Sequence, residues 1–83
     1  MPYIKQEERT KITVRPIEGL SCPGNLNYVI TLVCNDYVRK NEESYQTYND
    51  IIGVLECAKQ EIYRRKIAVY EEKKRNENGD VFK

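Results

Sequence analysis

The chain has 83 residues, with 14 basic and 13 acidic side chains and a net charge of +1. That length predicts one domain, and a domain this small hides only ~60–65% of its unfolded surface. The near-neutral balance argues against non-specific DNA binding by bulk electrostatics, which needs a clear basic excess or a basic face, and leaves a local basic patch open.

Small domains commonly gain stability from metals, disulfides or oligomerisation. Metal binding has no support, because there is no histidine and Cys22, Cys34 and Cys57 form no CxxC pair. The odd cysteine count and an opening Met1-Pro2-Tyr3-Ile4-Lys5 without an apolar leader predict free thiols in a reducing, cytoplasmic setting. The mainly apolar run from Tyr28 to Cys34 is too short to cross a membrane. Oligomerisation is left, and a homodimer is predicted. No cofactor is predicted. The aromatic set is seven tyrosines, one phenylalanine and no tryptophan. Tyrosine joins an apolar body to a polar tip, which suits either an interface or the edge of a core.

Residues 1–23 read as an N-terminal arm. Lys5 to Lys11 is charged enough for a short helix, whereas Ile12-Thr13-Val14, between Lys11 and Arg15, reads as a short strand or extended arm. Pro16 and Pro23 bracket a loop at Gly19. Ile12, Val14, Ile17 or Leu20 would pack the arm onto the helices. The first main helix is predicted over 25–40, with Asn25 as N-cap. Leu26, Ile30, Val33 and Tyr37 form its apolar face, with Val29 and Cys34 beside them. Arg39 and Lys40 suit the negative end of its dipole.

A long second helix is predicted over 44–77, with a tail over 78–83. Ser44 is its N-cap, and Thr47 with Asp50 is a competing cap one turn later. Ile51, Leu55, Ala58 and Ile62 recur at spacings of four, three and four, the stripe of an amphipathic helix. Glu61 with Arg65 and Glu71 with Arg75 have the favourable i, i+4 order. Beyond Arg64 the stripe thins to Ile67, Ala68, Val69 and Tyr70, and Asn78-Gly79 is a natural stop. Gly53 inside the helix suggests a close helix–helix approach. The short connection Asn41-Glu42-Glu43 makes the two helices an αα-hairpin. The fold class is therefore mainly all-α: a helical hairpin with a long C-terminal helix and an N-terminal arm. The segment Ile51 to Ala58 would be the hairpin's core, and the part beyond Glu61 would overhang its partner.

Catalysis has little to work with. Acid–base chemistry without histidine would fall to carboxylate, tyrosine, lysine or cysteine. Cys34 and Cys57 read as small core residues, and Cys22 as an exposed thiol with no base in sequence reach. Binding has more. Asn27 and Tyr28, Asn49, and Glu56 are polar residues inside helical apolar runs, where they either fix register or touch a ligand. Tyr63-Arg64-Arg65-Lys66 is a basic cluster beside an aromatic, and Tyr70 lies two turns on. It suits phosphate, nucleic acid or an acidic protein patch, or it is a solvated face balanced by Glu61, Glu71 and Glu72.

The runs Gly24-Asn25-Leu26-Asn27-Tyr28, Ser44-Tyr45-Gln46-Thr47-Tyr48-Asn49-Asp50, Gly53-Val54-Leu55-Glu56-Cys57-Ala58-Lys59, Tyr63-Arg64-Arg65, Tyr70-Glu71-Glu72-Lys73-Lys74 and Asn78-Gly79-Asp80-Val81, with the opening Met1-Pro2-Tyr3-Ile4, resemble an uncharacterised family of short proteins from bacteriophages and bacterial genomes. The resemblance implies a small cytoplasmic protein carried by phage or mobile elements, and no activity. It stresses the same positions: Asn27, Tyr28, Asn49, Gly53, Glu56, Tyr63, Arg64, Arg65 and Tyr70. The resulting expectation is a non-enzymatic binding protein, a phage-type inhibitor that docks on a host defence protein. The alternatives are a nucleotide-like ligand held between subunits and, more weakly, nucleic-acid binding through the Arg64–Lys66 cluster.

Overall fold

The structure is a computed structural model that describes residues 2–12 and 17–82. It is all-α. Helix α1 spans Gln6–Arg9, α2 Pro23–Asn41, α3 Tyr45–Ile62 and α4 Ala68–Asn78, with a π-helical turn over Tyr63–Ile67 between the last two. From Tyr45 to Asn78 the helical run is 34 residues long. No strand occurs among the described residues. The chain divides into two units, residues 2–52 and 53–82.

In the first unit α1 is a single turn. Arg9 Nε donates to the Ile4 carbonyl at 2.9 Å, and Thr10 Oγ1 to the Glu7 carbonyl at 2.8 Å. The Ile12 N–H donates to the Arg9 carbonyl at 3.1 Å, so Ile12 closes a helical turn where a strand was predicted to begin. Thr13 and Val14 lie outside the described residues. Gly19, at φ +81°, makes the turn predicted there. Of the residues expected to pack the arm, Ile12, Ile17 and Leu20 are exposed, and Val14 lies outside the described residues. One helical turn has too few side chains to build a sheltered face.

Pro23 opens α2. Its missing N–H is one of those a helix start leaves unpaired anyway, and its φ suits the first helical position. That moves the N-cap upstream of the predicted Asn25 to Cys22. Asn25 works backward instead: its Nδ2 donates to the Gly19 carbonyl at 2.7 Å and reaches Ser21 Oγ at 3.3 Å. At the other end Arg39 and Lys40 occupy the last turn. Lys40 pairs with Asp36 at 2.9 Å and holds that carboxyl below the usual range. Glu42, at φ +66° and ψ 145°, ends the helix.

Ser44 caps α3 as predicted, accepting the Thr47 N–H at 3.1 Å. Thr47, read as a rival cap, is inside the first turn and is the one buried residue among those described, at 5% exposure. Its hydroxyl donates to the Glu42 carbonyl at 2.8 Å and touches Ser44 Oγ at 3.1 Å. Asp50 is not a capping partner of Thr47. It accepts from Gln46 Nε2 at 2.7 Å and from the Tyr37 hydroxyl at 3.4 Å. The turn between α2 and α3 is therefore held by polar contacts.

A hydrophobic core is missing among the described residues, where no apolar side chain is buried. The predicted hairpin core is not sheltered: Ile51 is half-buried, and Leu55, Ala58 and Ile62 are exposed. Leu26, Ile30, Val33 and Tyr37 of α2 are exposed as well. Cys57 is exposed and Cys34 only half-buried, so neither is a core residue. A Cβ added at Gly53 would meet nothing within 4 Å. An amphipathic stripe provides one surface of a core and leaves the second to be found elsewhere. No helix among the described residues is long and apolar enough to cross a membrane.

Candidate functional site

The predicted cluster Tyr63-Arg64-Arg65 falls on the π-turn. There the Ala68 N–H donates to the Tyr63 carbonyl, five residues back instead of four. Single π-turns inside α-helices hold one extra residue and frequently mark functional sites. The extra residue delays every later side chain by about 100° around the axis.

That rotation has a visible local result. Tyr63 and Glu71 are eight residues apart, a spacing that in a regular helix separates side chains by about 80°. Here the Tyr63 hydroxyl donates to the Glu71 carboxylate, and this bond raises the phenol above the usual tyrosine range. Glu71 does not take the predicted pairing with Arg75. Arg75 instead bonds Glu72 at 2.5 Å and lies 3.8 Å from Asp80.

Before the π-turn, Glu61 gathers the basic side chains. Arg64 donates to its Oε2 at 2.7 Å, and Arg65 Nη1 lies 3.8 Å from its Oε1. The Glu61 side chain is 19% exposed, while those of both arginines are more than 60% exposed. The guanidinium groups are thus positioned by one sheltered carboxylate with much of their surface still presented outward. Glu56, one turn earlier, accepts from Gln60 Nε2 at 3.1 Å and pairs with Lys59 at 3.2 Å. Those two contacts lower its carboxyl below the usual range, Gln60 first.

After the π-turn, the Lys74 ammonium sits 5.5 Å from the centre of the Tyr70 ring, a cation–π contact one helical turn apart. At Gly79 the backbone turns at φ +92°, and the Gly79 N–H still closes on the Arg75 carbonyl at 2.9 Å. The reversal brings Asp80 and Phe82 toward α4. Together with Tyr63, Tyr70, Glu71 and Arg75 they line an open groove of about 580 Å³. Phe82 is 86% exposed.

The second unit therefore holds Glu56, Tyr63, Arg64, Arg65 and Tyr70 together. Asn27, Tyr28 and Asn49 belong to the first unit and are exposed, so none is a buried register-fixing group. Asn27 contributes its carbonyl to the Thr31 hydroxyl at 2.8 Å. Glu71, as partner of Tyr63, escaped the sequence reading. A signal for it existed: the apolar spacing lengthens to five between Ile62 and Ile67, where a regular helix repeats at three or four. Among the described residues no cluster of cysteine and carboxylate side chains could hold a metal.

Fold and surface define a small all-α protein that turns its apolar and basic side chains outward. The chain belongs to the family described as a domain of unknown function (DUF6899), whose model matches residues 1–81. No curated protein and no solved structure matches it.

Proposed function

We propose that this is a non-enzymatic binding protein that works by docking on another macromolecule. The observation that carries this reading is the absence of any buried apolar side chain among the described residues.

The docking residues are Tyr63, Arg64 and Arg65, tyrosine and arginine being the side chains that most often dominate interface energies. Glu61 fixes the two arginines in advance, which reduces the ordering cost of binding. A protein partner with an acidic patch fits them. In the phage setting that the family resemblance implies, such a protein acts as an inhibitor by occupying a host protein's surface, a defence protein among the candidates.

Arg64→Ala with Arg65→Ala tests the assignment. Capture of a partner from host lysate should fall at least tenfold, with the circular dichroism of the helices unchanged; undiminished capture would remove these residues from the interface. A small-ligand reading draws on the groove beside Tyr70, whose volume lies within the ~300–1,000 Å³ range of ligand pockets. A nucleotide held there raises the melting temperature of the pure protein. A flat screen counts against it.

A further inference from the structure

The π-turn changes which side chains share a face on the second unit. In an uninterrupted helix the stripe Leu55, Ala58, Ile62 would continue to Val69, seven residues on, and Tyr70 would point about 80° away. With one residue added by the π-turn, Val69 rotates off the stripe and Tyr70 rotates onto it, with Ile67 at its edge. Leu55, Ile62, Ile67 and Tyr70 are between 38% and 60% exposed. The result is one apolar stripe that crosses the basic cluster and leaves Arg64 and Arg65 outside it.

The stripe reads alike from both ends. Its centre is Ile62. Ala58 and Ile67 lie one turn to either side, and Leu55 and Tyr70 lie one step beyond them. We infer that its occupant is a second copy of this chain, paired antiparallel about Ile62. A two-fold interface requires self-complementarity, in which residue i meets j and j meets i. Here small Ala58 meets Ile67 of the partner subunit, a small-against-large contact that fills a seam without voids, and Leu55 meets Tyr70 of the partner subunit. Charge selects the direction. Glu56 and Glu61 outnumber Lys59 in the half before the centre, which is net acidic, and Arg64, Arg65 and Lys66 make the half after it basic. Antiparallel pairing sets the acidic half against the basic one, whereas parallel pairing stacks three cations on their own copies. The inference rests on reading the exposed stripe as a binding face, and it assigns Tyr70 to the seam.

Light scattering on the full chain tests it. The wild type should have about twice the monomer mass of 9.8 kDa. Ile62→Lys and Tyr70→Lys should each return it to the monomer mass, and Val69→Lys should leave it doubled. A monomeric wild type overturns the pairing, and a Val69→Lys variant that dissociates while Tyr70→Lys does not overturns the rotated stripe. A second measurement does not depend on mutants that dissociate. With Cys22, Cys34 and Cys57 changed to Ser, Ile62→Cys alone should cross-link with a short bismaleimide. Leu55→Cys and Tyr70→Cys should cross-link only when mixed. Self-linking of Leu55→Cys would show parallel pairing and overturn the inference. Failure here leaves the Arg64 and Arg65 capture result untouched, so the two readings fall separately.

Discussion

Tyr63 and Glu71, eight positions apart, are turned toward one side of the helix by the extra residue of the π-turn, and the side-chain hydrogen bond to Glu71 raises the Tyr63 phenol above its usual range. Their bond stabilises the neutral phenol. A raised pKa in the folded state means the contribution is fully present below the ordinary tyrosine value of about 10 and is lost as pH rises through the raised value. Tyr48 behaves alike, because its hydroxyl donates to Glu43. Absorbance titration at alkaline pH should therefore show Tyr63 ionising above the ordinary tyrosine value, and Tyr63→Phe should remove that late component. A late component left unchanged would contradict the Tyr63–Glu71 bond. Asp36 and Glu56 have the opposite sign. Their carboxyls are lowered by Lys40 and by Gln60 with Lys59, so their contribution is present above the carboxylate range and fades as pH falls through the lowered values. Both are solvent-exposed pairs. Ser44 is the other residue with a definable effect. Ser44→Ala removes the acceptor for the Thr47 N–H and the neighbour of its hydroxyl, and should cost about 1 kcal/mol in chemical denaturation. No change would mean that water replaces the cap without penalty.

At the scale of the element, the run from Tyr45 to Asn78 is regular helix on both sides of one irregular turn. The turn has a phase, and phase can be edited. Deleting Lys66 should convert the π-turn to α-helix and preserve the stripe, since Ile62 and Tyr70 would then be seven residues apart. Helix content and native mass should both be kept. Inserting an alanine after Lys66 should rotate Tyr70 away again and weaken self-association at least tenfold, read by light scattering across a dilution series. Equal behaviour of deletion and insertion would show that the phase of the stripe does not matter. The ends of these elements were legible in the residues. Ser44 and Asn78-Gly79 act within a few residues, so a cap or a breaker states its effect locally. Asn25 misled because Pro23 competed for the same helix start, and a proline that fits the first helical position outranks a downstream cap. The π-turn was not read, because the choice between hydrogen bonds four and five residues back turns on a small energy difference that propensity does not encode.

For the whole molecule, the decisive quantity is the apolar surface left in water. At ~25 cal/mol per Å², each 100 Å² covered contributes about 2.5 kcal/mol, against a folded stability of only ~5–15 kcal/mol. A chain that shelters no apolar side chain among its described residues should depend on association for a large share of its stability. Its melting temperature should rise by several degrees over a hundredfold increase in concentration, followed by circular dichroism. A midpoint independent of concentration would indicate that the single chain is stable alone. The amino-acid order sufficed for the helical class, for most helix boundaries and for placing Tyr63, Arg64, Arg65 and Tyr70 on one long helix, because capping, breaking and periodicity are short-range effects. It did not show that Leu55, Ile62 and Ile67 are exposed, nor that Ile62 and Tyr70 come to share a face. Cover needs a second surface whose position no local pattern states, and the shared face depends on the π-turn over Tyr63–Ile67, of which the five-residue spacing from Ile62 to Ile67 is only a partial trace.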